Sequence, residues 1–324
     1  MAPRIFLLGF NNARFAEGLA QALKSAGAKT VVQQRDLRLT APSFEDNFSA
    51  TDLFVTRFNH RPPHAMMPAV LQRFFEREEW SNAIYGLCHS AGEARFYNPP
   101  MRVRIATSKP AQLRQANALE LRTPRTLITN CRTAAAEFVA ALGVPAILKP
   151  MDCSAAPNPR KPNDTLLLFT REINANQVAA MSDVDFAGSP IIFQERVEKR
   201  HELRVVVCGK KGVSIVVDSQ KHASSAVDWR RRQGDTSMYS YGELDPGLLL
   251  KLSRYLEAFQ LQSGVFDLAV TPDGETVFFE CNPNGQWQWL DEPLGGRVMD
   301  LASQSIADYS HQLTQENYDG ALAA

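Results

Sequence analysis

Residues 264–282, Gly-Val-Phe-Asp-Leu-Ala-Val-Thr-Pro-Asp-Gly-Glu-Thr-Val-Phe-Phe-Glu-Cys-Asn, constrain this chain more than any other stretch. Two runs rich in Val and Phe flank Asp273-Gly274, a dipeptide that favours a two-residue hairpin loop because both central positions need positive φ. With that loop, Pro272 pairs with Glu275 and Asp267 falls directly opposite Glu280. Side chains alternate between the two faces of a strand, so Asn282 shares the face of Glu280 and lies diagonal to Asp267. The other face collects Phe266, Leu268, Val270, Val277, Phe279 and Cys281, an apolar set that demands a core, with Cys281 a packing residue. Two carboxylates opposed on one face repel. A hard dication between them turns repulsion into binding, and Mg2+ takes one or two carboxylates together with phosphate oxygens. The pattern predicts a metal site at Asp267, Glu280 and Asn282, in preference to a solvated polar face.

The rest of the chain narrows the setting. Its 324 residues suffice for about two domains, or three intimate ones. Lys plus Arg and Asp plus Glu are both 35, so the net charge is zero, which argues against a nucleic-acid or membrane-surface protein. No apolar run is long enough to span a bilayer, and the N-terminus has no signal-peptide pattern, so a cytoplasmic protein is expected. Cys88, Cys131, Cys153, Cys208 and Cys281 are odd in number and include no CxxC, which speaks against a disulfide framework or structural zinc. His60 and His64 flank two prolines, so they cannot form a helical metal pair.

Periodicity gives the organisation. Ile5-Phe-Leu-Leu8 reads as a buried strand. Phe15, Leu19 and Leu23 form one face of a helix closed by Gly27, and Val31-Val32 and Leu53-Phe-Val55 are further strands. This βαβ pattern predicts a parallel α/β unit over roughly the first hundred residues. Gly9-Phe-Asn-Asn lacks the spacing of a dinucleotide fingerprint. Phe74, Phe75 and Trp80 read as the core face of a helix. Paired prolines make residues 97–100 a boundary. Helices are expected over 111–121, 134–142, 175–181, 248–261 and 298–313, with a frayed tail at 321–324. Strands are expected over 126–129, 146–149, 166–169 and 191–194. A hairpin is expected over 203–217 around Gly209-Lys-Lys-Gly212. Trp287 and Trp289, two apart in a strand-like stretch, read as core or pocket wall.

Asp267, Glu280 thirteen residues on and then Asn282-Pro-Asn-Gly resemble the magnesium site of ATP-grasp ligases. The order of other motifs fits the same family. Lys109 in Ser-Lys-Pro-Ala-Gln-Leu and Lys149 in Ile-Leu-Lys-Pro match the two lysines that hold ATP phosphates. Gln194-Glu195-Arg196-Val197 looks like the hinge that binds adenine through its backbone. Glu202 matches the ribose-binding acid, and Arg204 falls where related ligases place a phosphate-binding arginine. Among ATP-grasp proteins the chain is most similar to microviridin-type (graspetide) peptide maturases, and less so to ribosomal-protein glutamate ligases. The matching pieces are Asn98-Pro-Pro100, Lys109-Pro-Ala-Gln-Leu-Arg114, Pro124-Arg-Thr-Leu-Ile-Thr-Asn130, Asp228-Trp-Arg230 and Asn282-Pro-Asn-Gly-Gln-Trp287.

The resemblance implies an α/β fold with three units. These are an N-terminal Rossmann-like domain over residues 1–100, an ATP-grasp small lobe over 101–190 and a C-terminal lobe with the Mg/ATP site over 191–324. It implies an ADP-forming carboxylate–amine or carboxylate–hydroxyl ligase working through an acyl-phosphate, with ATP and Mg2+ (two ions) as cofactors. The substrate it implies is a ribosomally made peptide, with a precursor leader as a further partner and room for a homodimer. Arg230, Arg204 and Lys221 are the catalytic candidates, Arg230 to orient a substrate carboxylate, since a guanidinium pairs with planar anions in a bidentate way. The loop over residues 152–163 departs from the family in having no glycine. Ser154, Arg160 and Lys161 are its candidate phosphate contacts. A ligase of small amino-acid or dipeptide substrates, and a non-catalytic ATP-binding module, are the alternatives.

Overall fold

The structure is a computed structural model that describes residues 4–8, 13–28, 31–33, 52–56, 69–151, 155–157 and 165–323. His60, His64, Cys153, Ser154, Arg160 and Lys161 lie outside the described residues. Three parallel strands come first, Ile5–Leu8 flanked by Val31–Gln33 and Leu53–Thr56. The helix Ala13–Ser25 links the first two, and Gly27 ends it at φ 92°, a conformation that costs glycine little. Helix Ala69–Ala91, longer than its sequence pattern suggests, packs Ile84, Leu87 and Cys88 against Phe6, Phe54 and Phe96. Trp80 joins that cluster from its edge, whereas Phe75 is exposed.

The paired prolines do not end regular structure. Pro100 is the first residue of a helix, Pro100–Ala106, where its missing N–H costs nothing. Asn98 just before it is buried. Its side chain accepts from the amides of Gln262 and Ser263 and donates to the Pro283 carbonyl at 3.2 Å. A second helix, Lys109–Ala118, follows.

Two larger sheets frame the functional region. One has four antiparallel strands in the order Thr126–Thr129, Ile191–Glu195, Ala146–Lys149, Arg171–Ile173, with a small ribbon of Ala155–Pro157 and Thr165–Leu167 following the strand that ends in Lys149. The other has five, in the order Tyr239–Gly242, Lys211–Val217, His201–Cys208, Ser263–Val270, Thr276–Asn282. The odd-numbered residues of its central strand, Leu203, Val205 and Val207, face a core built with Tyr255 and Leu256 of helix Pro246–Ala258. The even-numbered face carries Arg204 toward a cleft and Val206 and Cys208 into a second core with Trp229, Trp287 and Val298. Helix Arg297–Ala323 spans two units: Val298 and Ala302 pack under the five-stranded sheet, Ile306 and Leu313 against the parallel strands. The expected frayed tail is helical to Ala323.

The hairpin that carries the acids differs from expectation in two ways that cancel. The Thr271 N–H bonds to the Glu275 carbonyl and the Gly274 N–H to the Thr271 carbonyl, so the loop holds three residues with Gly274 at φ 91°. Val270 then pairs with Thr276 and Leu268 with Phe278. A bulge between Asp267 and Leu268 adds one residue to the second strand, and Asp267 pairs with Glu280 as expected. The bulge moves Phe279 off the core face. Phe278 is the buried ring beside Tyr255 and Phe266, and Phe279 joins Val197, Ala269 and Val277 at the cleft. Val277 likewise lies on the Asp267 side, not in the main core. Cys281 is wholly buried, as expected. The turn of the 203–217 hairpin is also tighter than predicted, with Cys208 paired to Lys211 across Gly209 and Lys210. Among the described residues, no helix is long and apolar enough to cross a membrane.

Candidate active site

Three neighbouring strands place Arg204, Asp267 and Glu280 side by side, because Arg204 pairs with Asp267 and Asp267 with Glu280. Arg204 Nη1 donates to both Asp267 oxygens at 2.7 and 3.0 Å, and Nη2 to the Gln286 carbonyl at 2.7 Å. Its Nε is buried with no hydrogen-bond partner among the described residues. Lys109, at the start of its helix, donates to Glu280 Oε2. The Asn282 amide donates to Asp267 and to Glu280, each at 3.1 Å. Burial pushes the Asp267 carboxyl up, with the Glu280 charge adding and Arg204 opposing. Burial acts on Glu280 in the same sense, but Lys109 and Lys149 outweigh it and hold that carboxyl well below the usual range.

Lys149 ends its strand half-buried, donating at 2.9 Å to Gln194 Oε1, while Gln194 Nε2 donates to Thr126 at 2.7 Å. Burial lowers the Lys149 amine to about 8; the Glu280 charge opposes this, and Lys109 and Arg230 add to it. In the following segment the amides of Glu195 and Arg196 are committed to the carbonyls of Arg125 and Pro145. The Glu195 carboxylate accepts from Arg125 at 2.6 Å, and Arg196 lies 3.5 Å from Glu172. Val197 comes next at the cleft wall, with no backbone hydrogen bond among the described residues. Glu202 is paired at 2.7 Å with Lys199, both side chains being 8% exposed. Burial raises the Glu202 carboxyl, with Lys199 opposing.

Arg230 is fixed from below. Asp228, almost fully buried, accepts from Arg230 Nε at 2.8 Å and from Nη2, and also from the Thr170 backbone N–H at 2.9 Å. Phe169 beside Thr170 packs against the guanidinium groups of Arg230 and Arg231, at 5.9 and 4.6 Å. Trp229 stacks on Trp289 at 5.4 Å, and both line the cleft. Trp289 does so from helix Gln288–Leu294, not from a strand.

These side chains surround one cleft of about 520 Å³ between the four- and five-stranded sheets. Lys109, Lys149, Gln194, Glu195, Arg196, Val197, Glu202, Arg204, Arg230, Asp267, Glu280 and Asn282 all line it. Lys221 does not: it is exposed and bonded to Ser237, drawn aside by the short 3-10 turn it sits in. Sequence reasoning missed Lys199, Phe279 and the support role of Asp228. Lys199 sits in a charged run that reads as a solvated face, and Phe279 reaches the cleft only through the bulge.

The donor set suits a hard dication. Two carboxylates face one another, and the Asn282 side chain brings an amide oxygen to them by a half-turn. Each acid carries a cationic partner from the chain, Arg204 and Lys109, which a metal would release toward phosphate oxygens. Four cations (Lys109, Lys149, Arg204 and Arg230) meet three acids (Asp228, Asp267 and Glu280), a positive balance that suits a negative ligand.

No family model matches the sequence, and no curated protein matches it. The fold does match solved structures. A RiPP-associated ATP-grasp ligase of Chryseobacterium gregarium, in complex with ADP and a leader and core peptide, superposes with a TM-score of 0.79 over 96% of this chain and 97% of its own, at 20% identity. This is an ATP-grasp fold. The macrocyclase MdnC of Microcystis aeruginosa MRC, bound with precursor peptide MdnA, matches with a TM-score of 0.74 over 95% of this chain and 99% of its own, also at 20% identity. The ATP-grasp ligase PsnB, complexed with minimal precursor, Mg and ADP, matches with a TM-score of 0.69 over 95% and 98%, at 17% identity.

Proposed function

We propose that this protein is an ADP-forming ATP-grasp ligase that joins a carboxylate to an amine or hydroxyl on a ribosomally made peptide. The observation that carries the reading is the row Arg204–Asp267–Glu280 closed by Lys109 and Asn282 on the cleft floor. Mg2+ bound by Asp267, Glu280 and Asn282 would neutralise charge on the phosphate oxygens. Lys109 and Lys149 hold the phosphates, Val197 offers its free backbone to adenine, and Glu202, oriented by Lys199, takes the ribose hydroxyls. Arg230, held by Asp228, orients the substrate carboxylate as it accepts phosphate, and an amine or hydroxyl then displaces phosphate. Positioning and charge neutralisation supply most of the acceleration in such a reaction, which fits a site with cations and acids and no nucleophilic device. The units proposed are residues 1–100, 101–190 and 191–324, except that the strand Ile191–Glu195 pairs into the four-stranded sheet of the second unit. The peptide assignment leans on the two matches with the highest TM-scores here, whose structures hold a leader and core peptide and a precursor peptide.

Incubation with Mg-ATP and an acidic candidate peptide should release ADP and phosphate and remove one water from the peptide per linkage. AMP and pyrophosphate would reject the reading. Asp267→Asn and Glu280→Gln should each lower turnover by about a hundredfold or more. Slow ATP hydrolysis that no carboxylate substrate stimulates would instead favour a nucleotide-binding module.

A further inference from the structure

The strand Thr276–Asn282 is the edge of its sheet; Arg122 bridges it at Val277 and accepts the Phe278 N–H, and beyond that point its outward backbone groups need other partners. Gln112 supplies them at one residue. Its Oε1 accepts from the Cys281 N–H at 3.1 Å and its Nε2 donates to the Cys281 carbonyl at 2.7 Å, and the same Nε2 donates to the Ala106 carbonyl at 2.7 Å. The side chain is buried and its hydrogen-bonding capacity is used. Cys281 is the residue between Glu280 and Asn282. Gln112 stands one helical turn after Lys109, on the same face, with Ala116 following in the core beside Cys281. One helix stripe therefore grips the backbone between two proposed metal ligands and delivers the lysine that pairs with one of them.

We propose that Gln112 is the positioning residue for the metal site: by holding the Cys281 peptide groups it fixes the pleat that aims Glu280 and Asn282 at Asp267, and it ties the Lys109 helix to that geometry. The proposal rests on Asp267, Glu280 and Asn282 binding a divalent ion. Gln112 lines the cleft beside Lys109, but its amide is committed to the Cys281 and Ala106 backbone, so it acts through the strand. An apolar or shortened side chain leaves the edge free to turn, so both acids no longer converge. The hinge side of the cleft meets this strand at Val277 and Phe279, which pack with Val197, whereas Glu202 lies on the central strand His201–Cys208.

The test is Mn2+ binding by the full-length protein loaded with ADP, followed by electron paramagnetic resonance, beside ADP binding measured without metal. Gln112→Leu should weaken Mn2+ by about 10- to 100-fold, the range typical of residues that orient ligands, and weaken metal-free ADP binding, through Lys109, by clearly less than that. Gln112→Glu guards against misfolding of that variant. Its protonated form presents the same donor and acceptor to Cys281, so its Mn2+ deficit should shrink as pH falls from about 8 to about 6, whereas the wild type to Glu280→Gln ratio should not. If Gln112→Leu lowers only the melting temperature and binds Mn2+ like wild type, the residue merely stabilises the fold and the proposal fails while the metal reading stands. If Glu280→Gln also binds Mn2+ like wild type, the metal reading fails and takes the proposal with it.

Discussion

At the scale of single residues, Lys149 makes the clearest electrical statement. Burial brings its amine from the usual 10.5 to about 8, although the Glu280 charge pulls the other way. A lysine depressed in this way destabilises the folded, nucleotide-free chain at all pH values below about 8, and the penalty fades as pH rises to the unfolded value. A phosphate beside the amine favours the charged form and raises the pKa again. Nucleotide binding above about pH 8 should therefore take up a proton at Lys149. Calorimetry of ADP binding at that pH, in buffers of different ionisation heat, would show the uptake, and Lys149→Met should remove it along with much of the affinity. An uptake that survives the substitution would assign the proton elsewhere. Asp267 and Glu280 could be singled out from the hairpin pattern and Lys109 and Lys149 from their resemblance to ATP-grasp motifs, and the structure brings all four to one cleft. Their supports were not legible. Asp228 and Gln112 act on Thr170 and Cys281, far away in the chain, and the charged run around Lys199 hides its burial beside Glu202.

At the scale of elements, the acid-bearing hairpin shows how a correct pairing can rest on a wrong loop. The Asp-Gly signal fixes a tight turn but does not distinguish a two-residue loop from a three-residue loop with glycine in the left-handed region. Alternation alone carries no sign of the bulge. Both errors were of one residue and in opposite senses, so Asp267 still met Glu280 while Phe279 was assigned to the wrong side. Short polar signals misled elsewhere for a similar reason: Pro100 starts a helix because a proline is harmless at the first position. Two predictions belong here. Gly274→Val places a branched side chain at φ 91° and should cost about 1–2 kcal/mol in thermal unfolding while leaving nucleotide affinity unchanged. Phe279→Ala should do the reverse. The ring is only partly buried and packs beside Val197 and Lys199 at the proposed adenine end, so stability should change little. ATP binding, measured by titration calorimetry, should weaken by about tenfold, within the range of an aromatic contact to a base.

At the scale of the whole molecule, the two sheets that frame the cleft are tied together at Asp228. Its carboxylate accepts the Thr170 N–H, from the segment that follows the ribbon strand Thr165–Leu167, and grips Arg230 on the opposite side. Phe169 lies against Arg230 and Arg231 and seals the same junction. One buried acid thus links segments from the two sides of the cleft and orients the cation proposed to meet substrate. Burial would raise that carboxyl, but the Arg230 hydrogen bonds and charge bring it below the usual carboxylate range, so the tie should loosen only in acid, as pH falls through that lowered value. Two substitutions separate its two duties. Asp228→Asn keeps an oxygen for the Thr170 amide but loses the charge that holds Arg230. Asp228→Ala removes both. Hydrogen exchange at Thr170 should quicken in the alanine variant and stay near wild type in the asparagine variant, while ligase turnover falls in both. Exchange that is equally slow in all three proteins would mean that other contacts close the cleft, and Asp228 would then matter only through Arg230.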